Sequence, residues 1–177
     1  MVRFYALNTG ELVLKDYSLP SGYSLDIWYP RHNGLNLKGL PFNRYAVWWV
    51  FDHIGLFANS LAGVVMIKKG NRMVHRSLVT PKWYRFPNMT SNELQIGDVW
   101  TTEDQRGHGL AKIAINEIHR QWGASCEKMW YLVGDENLGS IKLIEAFGYK
   151  LCALGERTKP GNIRALGKFQ ITKWLID

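Results

Sequence analysis

Residues Gln105-Arg106-Gly107-His108-Gly109-Leu110-Ala111 are the segment of this chain best equipped for chemistry. Two glycines free the backbone to approach a bulky anion. Arg106 supplies a permanent positive charge beside them. A helix starting at Leu110 aims its unpartnered N–H groups and the positive end of its dipole into the same loop. That combination is a cradle for phosphate. Two titratable side chains sit in strand-like sequence nearby. Asp98, if half-buried with a raised pKa, suits the removal of a proton, and an ion pair with a nearby arginine is the other reading. His75 titrates near neutrality, and a hydrogen-bonded structural histidine is its alternative. No group of His, Cys, Asp and Glu has metal-ligand spacing, so no metal is expected.

The elements that must position these residues follow from periodicity. Residues 94–101 alternate as a strand does, which predicts Asp98 on one face with Leu94, Ile96 and Trp100. Residues 110–122 place Leu110, Ala114, Ile118 and Trp122 on one helical stripe, with Lys112, Asn116, His119 and Arg120 elsewhere. Strand-like Met129–Val133 comes next, then a helix over 138–147 with Asn137 or Asp135 as its cap and Gly148 as its stop. Upstream, residues 44–58 read as a helix whose stripe is Val47, Val50, Phe51, Ile54 and Ala58, capped by Asn43. Val64–Lys68 and Met73–Val79 flank a Lys69-Gly70-Asn71 turn and read as a hairpin. Two more strands are expected near 149–155 and 166–175, separated by a turn at Lys159-Pro160-Gly161-Asn162.

Arg106-x-x-Gly109-x-Ala111, between a strand and a helix, resembles the acyl-CoA pyrophosphate loop of the GNAT superfamily of N-acyltransferases. Asn137-Leu138-Gly139-Ser140, an amphipathic helix and Phe147-Gly148-Tyr149 resemble that superfamily's second signature. The resemblance is specific over residues 94–150 and only follows strand order over 1–90. It implies an α/β (mixed α+β) fold: a central mixed sheet of about six or seven strands flanked by helices. A splayed pair, 94–101 and 129–133, would hold CoA. It implies one domain over 1–177, with 1–90 on the acceptor side and 91–150 as the acetyl-CoA-binding core.

The same resemblance implies acetyl-CoA as acyl donor and transfer to an acceptor amine. Backbone groups of Arg106, Gly107, His108, Gly109, Leu110 and Ala111 would hold the pyrophosphate. Val99 and Thr101 would pair with the pantetheine arm as an added strand. Asn137 and Ser140 would approach the cofactor, and Asn137 is equally suited to capping. Asp98 is the first choice of general base and His75 the second. Many members place a tyrosine four residues before the signature-closing glycine, as the acid that protonates the thiolate. Here that residue is Ile144. Tyr131 and Tyr149 are the substitutes, with water as an alternative.

The remaining features bound the function. The net charge of +7 comes from scattered basic residues, which suits CoA and nucleotide-linked ligands as well as a generic basic surface. A nucleic-acid role ranks last because it leaves both ordered signatures unexplained. No apolar run spans a bilayer and no signal peptide is evident, so a cytoplasmic, non-membrane protein is expected. A homodimer is compatible with this reading. Two cysteines, Cys126 and Cys152, read as reduced thiols. Early aromatics such as Trp28, Trp48, Trp49, Trp83 and Tyr84 serve either a stacking pocket or the core. Residues 76–87 resemble a GNAT subgroup associated with bacterial surface polysaccharides. This implies a primary amine on an amino sugar or nucleotide-linked amino sugar as acceptor. A protein or amino-acid acceptor, or a silent CoA-binding module, remains as the alternative.

Overall fold

The computed structural model describes residues 1–158 and 167–175. The turn expected at 159–162 lies outside the described residues. Eight strands form one mixed sheet in the order β2-β3-β4-β5-β6-β1-β7-β8. They are β1 (Val2–Asn8), β2 (Tyr23–Trp28), β3 (Gly63–Lys69), β4 (Arg72–Pro81), β5 (Glu93–Thr101), β6 (Lys128–Gly134), β7 (Lys150–Arg157) and β8 (Phe169–Trp174). Among the described residues, four α-helices accompany them: α1 (Pro30–Asn33), α2 (Phe42–His53), α3 (Leu110–Trp122) and α4 (Leu138–Glu145). The β5–β6 pair is parallel and the other neighbours are antiparallel. The mixed α/β class expected from the sequence is what forms.

One face of the sheet is covered by α3 and α4. Leu110, Ala114, Ile115, Ile118 and Trp122 bury against Val65, Ile67, Leu94, Ile96 and Met129 in the main core. Burial of that apolar stripe, more than propensity, holds α3 in place. Asn116 and His119 are not on the surface, as periodicity had suggested. Both are buried: the segment after β1 crosses α3 at Asn116, and Phe147 and Tyr149 pack against His119. The Asn116 amide donates to the Lys15 carbonyl at 2.9 Å and accepts the Lys15 N–H at 2.8 Å. His119 Nε2 lies 2.9 Å from the Tyr149 hydroxyl.

The other face is covered in part by α2, in an orientation opposite to expectation. The stripe of Val47, Val50 and Ile54 is exposed. Tyr45 and Asp52 are buried instead, and Trp48 and Trp49 pack against the Trp28–Val64–Met66–Leu78 cluster. Pro41, not Asn43, occupies the cap position, and no side chain caps the helix. β1 departs from a simple acceptor half as well. It lies between β6 and β7, pairing antiparallel with both.

Candidate functional site

β5 is paired with β4 but with β6 only from Glu93 to Ile96. Between the pairs Leu78↔Gly97 and Arg76↔Trp100, β5 spends two residues, Asp98 and Val99, opposite the single Ser77. This is a β-bulge, and Asp98 takes its left-handed position at φ 44°. Aspartate tolerates that region better than most residues. Past Ile96↔Tyr131 the two parallel strands share no ladder. Val99–Thr101 and Leu132–Gly134 therefore leave backbone groups on the edges that border the gap.

The bulge overturns the expected alternation of the strand. Leu94 and Ile96 face α3 in the main core. Asp98 and Trp100 turn the other way, towards α2. The Tyr45 hydroxyl donates a short hydrogen bond to Asp98 Oδ2. Arg76 Nε donates to the same oxygen at 2.9 Å, and Arg76 Nη2 to Oδ1 at 3.4 Å. Arg44 Nη1 stands 3.6 Å from Oδ1. The Arg76 guanidinium also lies 4.4 Å from the centre of the Trp100 ring. Burial, and then the Asp98 charge, push the Tyr45 phenol far above its usual pKa and keep it a donor.

Thr101 leads to a single turn at Glu103–Gln105, the glycine loop and α3. Gly107 and Gly109 have φ of 83° and 75°, and a Cβ at either would meet open space. Gly109 is the N-cap of α3, with no side chain over the helix end. The first N–H groups of α3 are thus available to an anion. A cleft of about 780 Å³ opens here. Its lining brings together Val99, Thr101, Arg106, Gly107, Gly109, Leu110, Ala111, Asn137 and Ser140. His108 is exposed and is not in the lining. Lys112 and Lys142 stand on the rim with Arg106, three cations around a backbone cradle. Asn137 caps α4, its Oδ1 accepting the Ser140 N–H at 3.1 Å. Free strand edges, an uncapped helix end and rim cations are a donor set that fits the pantetheine and phosphates of a CoA thioester.

His75 and Tyr131 are placed differently. The His75 ring is fully buried, with Nδ1 2.8 Å from Thr101 Oγ1 and Nε2 2.9 Å from Ser77 Oγ. Burial, and then Arg76, lower its pKa to about 4. Both nitrogens are occupied and no solvent path reaches them. His75 supports the bulge rather than lining the cleft. Tyr131 is buried behind Ser140. Burial raises its pKa, and the Ser140 side chain offsets part of that rise. Ile144 is fully buried in the main core, so its side chain does not face the cleft. Among the described residues, no group of three or more His, Cys, Asp or Glu side chains could hold a metal ion. No helix among them is long and apolar enough to cross a membrane.

Sequence reasoning missed Tyr45 and Arg44, and read Arg76 and Trp100 without roles. Tyr45 lies off the apolar stripe of its helix, which was the only available signal. Most early aromatics fill the core: Trp28 and Trp83 are buried, and Trp48 and Trp49 are half-buried.

A profile of the acetyltransferase (GNAT) family matches residues 17–149. The chain belongs to the GNAT acetyltransferase family. Among solved structures, this GNAT domain resembles a Drosophila protein from a structural-genomics programme, with TM-score 0.59 and 12% identity over 85% of this chain and 47% of that one. A GCN5-related N-acetyltransferase from Sphaerobacter thermophilus gives TM-score 0.58 and 13% identity, covering 85% and 48%. A GCN5-related N-acetyltransferase-like protein from Streptococcus suis gives 0.53 and 20%, covering 85% and 57%. At such identities the likeness shows the fold. This chain spans about half the length of these structures. A search of curated proteins finds no match.

Proposed function

We propose that this GNAT protein transfers an acetyl group from acetyl-CoA to the primary amine of a small molecule, an amino sugar or nucleotide-linked amino sugar. The observation that carries this reading is the cleft between the diverging ends of β5 and β6, closed by the uncapped start of α3. The thioester supplies the activated acyl group. The loop from Arg106 to Ala111 binds the pyrophosphate, with Lys112 and Lys142 adding charge. The Val99 and Thr101 backbone aligns the pantetheine arm. In the transfer a nitrogen–carbon bond forms and the carbon–sulfur bond breaks. Two protons leave the acceptor nitrogen on the way from ammonium to amide; the departing sulfur takes up one and the other passes to solvent.

Asp98 lies beyond Trp100 from the cleft, where its carboxylate draws in the acceptor ammonium and takes its proton directly or through water. It is held by Tyr45, Arg76 and Arg44, which fixes its direction. Protonation of sulfur falls to water or to Ser140 with Tyr131 behind it. Calorimetric titration with acetyl-CoA, with CoA and ATP as controls, tests the cofactor. Saturable binding of both thio-compounds, with ATP much weaker, is expected. Thiol release across a panel of amines then tests transfer. Failure of acetyl-CoA to bind would remove the proposal.

A further inference from the structure

A second cavity of about 690 Å³ lies on the α2 side of the bulge, lined by Pro41, Asn43, Arg44, Arg76, Asp98 and Trp100. Trp100 also lines the cofactor cleft, so the two spaces adjoin at one indole. Two guanidinium groups border this groove against one carboxylate, which leaves one positive charge uncompensated. The two arginines are not equivalent. Arg76 is buried, hydrogen-bonded to Asp98 and stacked on Trp100. Its Nε and one Nη2 donor are committed to the Asp98 carboxylate. Arg44 is 58% exposed at the groove mouth, and its ion pair is a loose 3.6 Å contact. A guanidinium in that state offers a planar pair of donors to an incoming oxyanion. Asn43 beside it in the lining adds an amide.

The geometry points to an anion-binding subsite at Arg44, which selects acceptor amines that also carry a carboxylate or phosphate. This rests on the acetyltransferase reading above and specifies its acceptor. The acceptor's ammonium sits towards Asp98 and Trp100, and its anionic group lies on Arg44 at the outer end. A neutral amine finds the ammonium site but leaves the outer charge unanswered. A phosphate-bearing amino sugar and an amino acid both satisfy the pattern.

Two matched pairs test it on the full chain: 2-aminoethyl phosphate against ethanolamine, and 4-aminobutanoate against 4-aminobutanamide. Each is measured by thiol release and by calorimetric binding to the CoA-saturated protein, so that a slow acceptor still gives a result. In at least one pair the anionic member is expected to bind about tenfold or more tightly, and the winning pair tells phosphate from carboxylate. Arg44→Ala should erase that preference while the acetyl-CoA Kd stays within about twofold. Equal binding within both pairs, or a preference that survives Arg44→Ala, overturns the subsite. Loss of acetyl-CoA binding in the unaltered protein is a different result, and it overturns the acetyltransferase reading instead.

Discussion

The cleft at the glycine loop and the Asp98 groove share Trp100 as a wall, yet they are built from different material. The cleft is made by main chain: two glycines at positive φ, the start of α3 and the unpaired edge of β5. The groove is made by side chains that meet from three distant segments: Arg44 and Tyr45 on α2, Arg76 on β4, and Asp98 with Trp100 on the bulge. A site of backbone is specified by a short local pattern and resists most substitutions. A site of convergent side chains depends on the register of everything beneath it.

Bulk placed in the backbone site should therefore have the largest effect. Gly109→Trp is expected to weaken acetyl-CoA at least about a thousandfold, with the protein still folded and its melt lowered by only a few degrees for the strain of a side chain at positive φ. A normal titration would show that the loop is not the cradle. The groove's foundation is tested next by acid. His75 is neutral when folded, with a pKa lowered to about 4 from 6.5. The unfolded chain thus takes up the proton first. The contribution is complete above pH 6.5 and is lost as pH falls towards 4, on the order of 3 kcal/mol by linkage. Urea midpoints across that range check it, and His75→Gln should flatten the slope.

A tyrosine restored at the usual thiolate-acid position should harm rather than help. Ile144→Tyr forces a phenol into the filled main core and should cost about 2 kcal/mol without raising turnover. A faster enzyme would mean that this side chain reaches the cleft after all. Asp98→Asn should lower kcat about tenfold or more and leave acetyl-CoA affinity intact. Unchanged kcat would free Asp98 of any part in proton removal. The smallest effect is expected from Tyr131→Phe, less than about threefold in kcat, since the phenol is buried behind Ser140. A larger loss would make Tyr131 the sulfur's acid.

What was legible in the sequence divides along the same line. The loop at 105–111, the strands on either side, the hairpin at 63–81 and the cap of α4 are all set by residues a few positions apart, and they appear where periodicity put them. The bulge was not legible, because one extra residue opposite Ser77 leaves alternation looking regular while it turns Asp98 and Trp100 to the other face. The burial of Asn116 was hidden because its cover comes from a segment about a hundred residues away, and that of His119 because Phe147 and Tyr149 pack over it from beyond α4. α2 misled because it is apolar on both sides, and the sheet took the face carrying Tyr45 and Trp48.

The place of β1 sets the order in which this protein can be completed. Its residues leave the ribosome before either strand they pair with, Lys128–Gly134 on one side and Lys150–Gly155 on the other. During synthesis β1 has nothing to pair with until most of the chain has emerged. The hairpin β3–β4 can close early, but the central strand that joins β6 to β7 must wait. The nascent chain therefore carries Phe4, Tyr5 and Leu7, all buried in the finished fold, as an unpaired apolar strand. That interval is when a chaperone has most to protect.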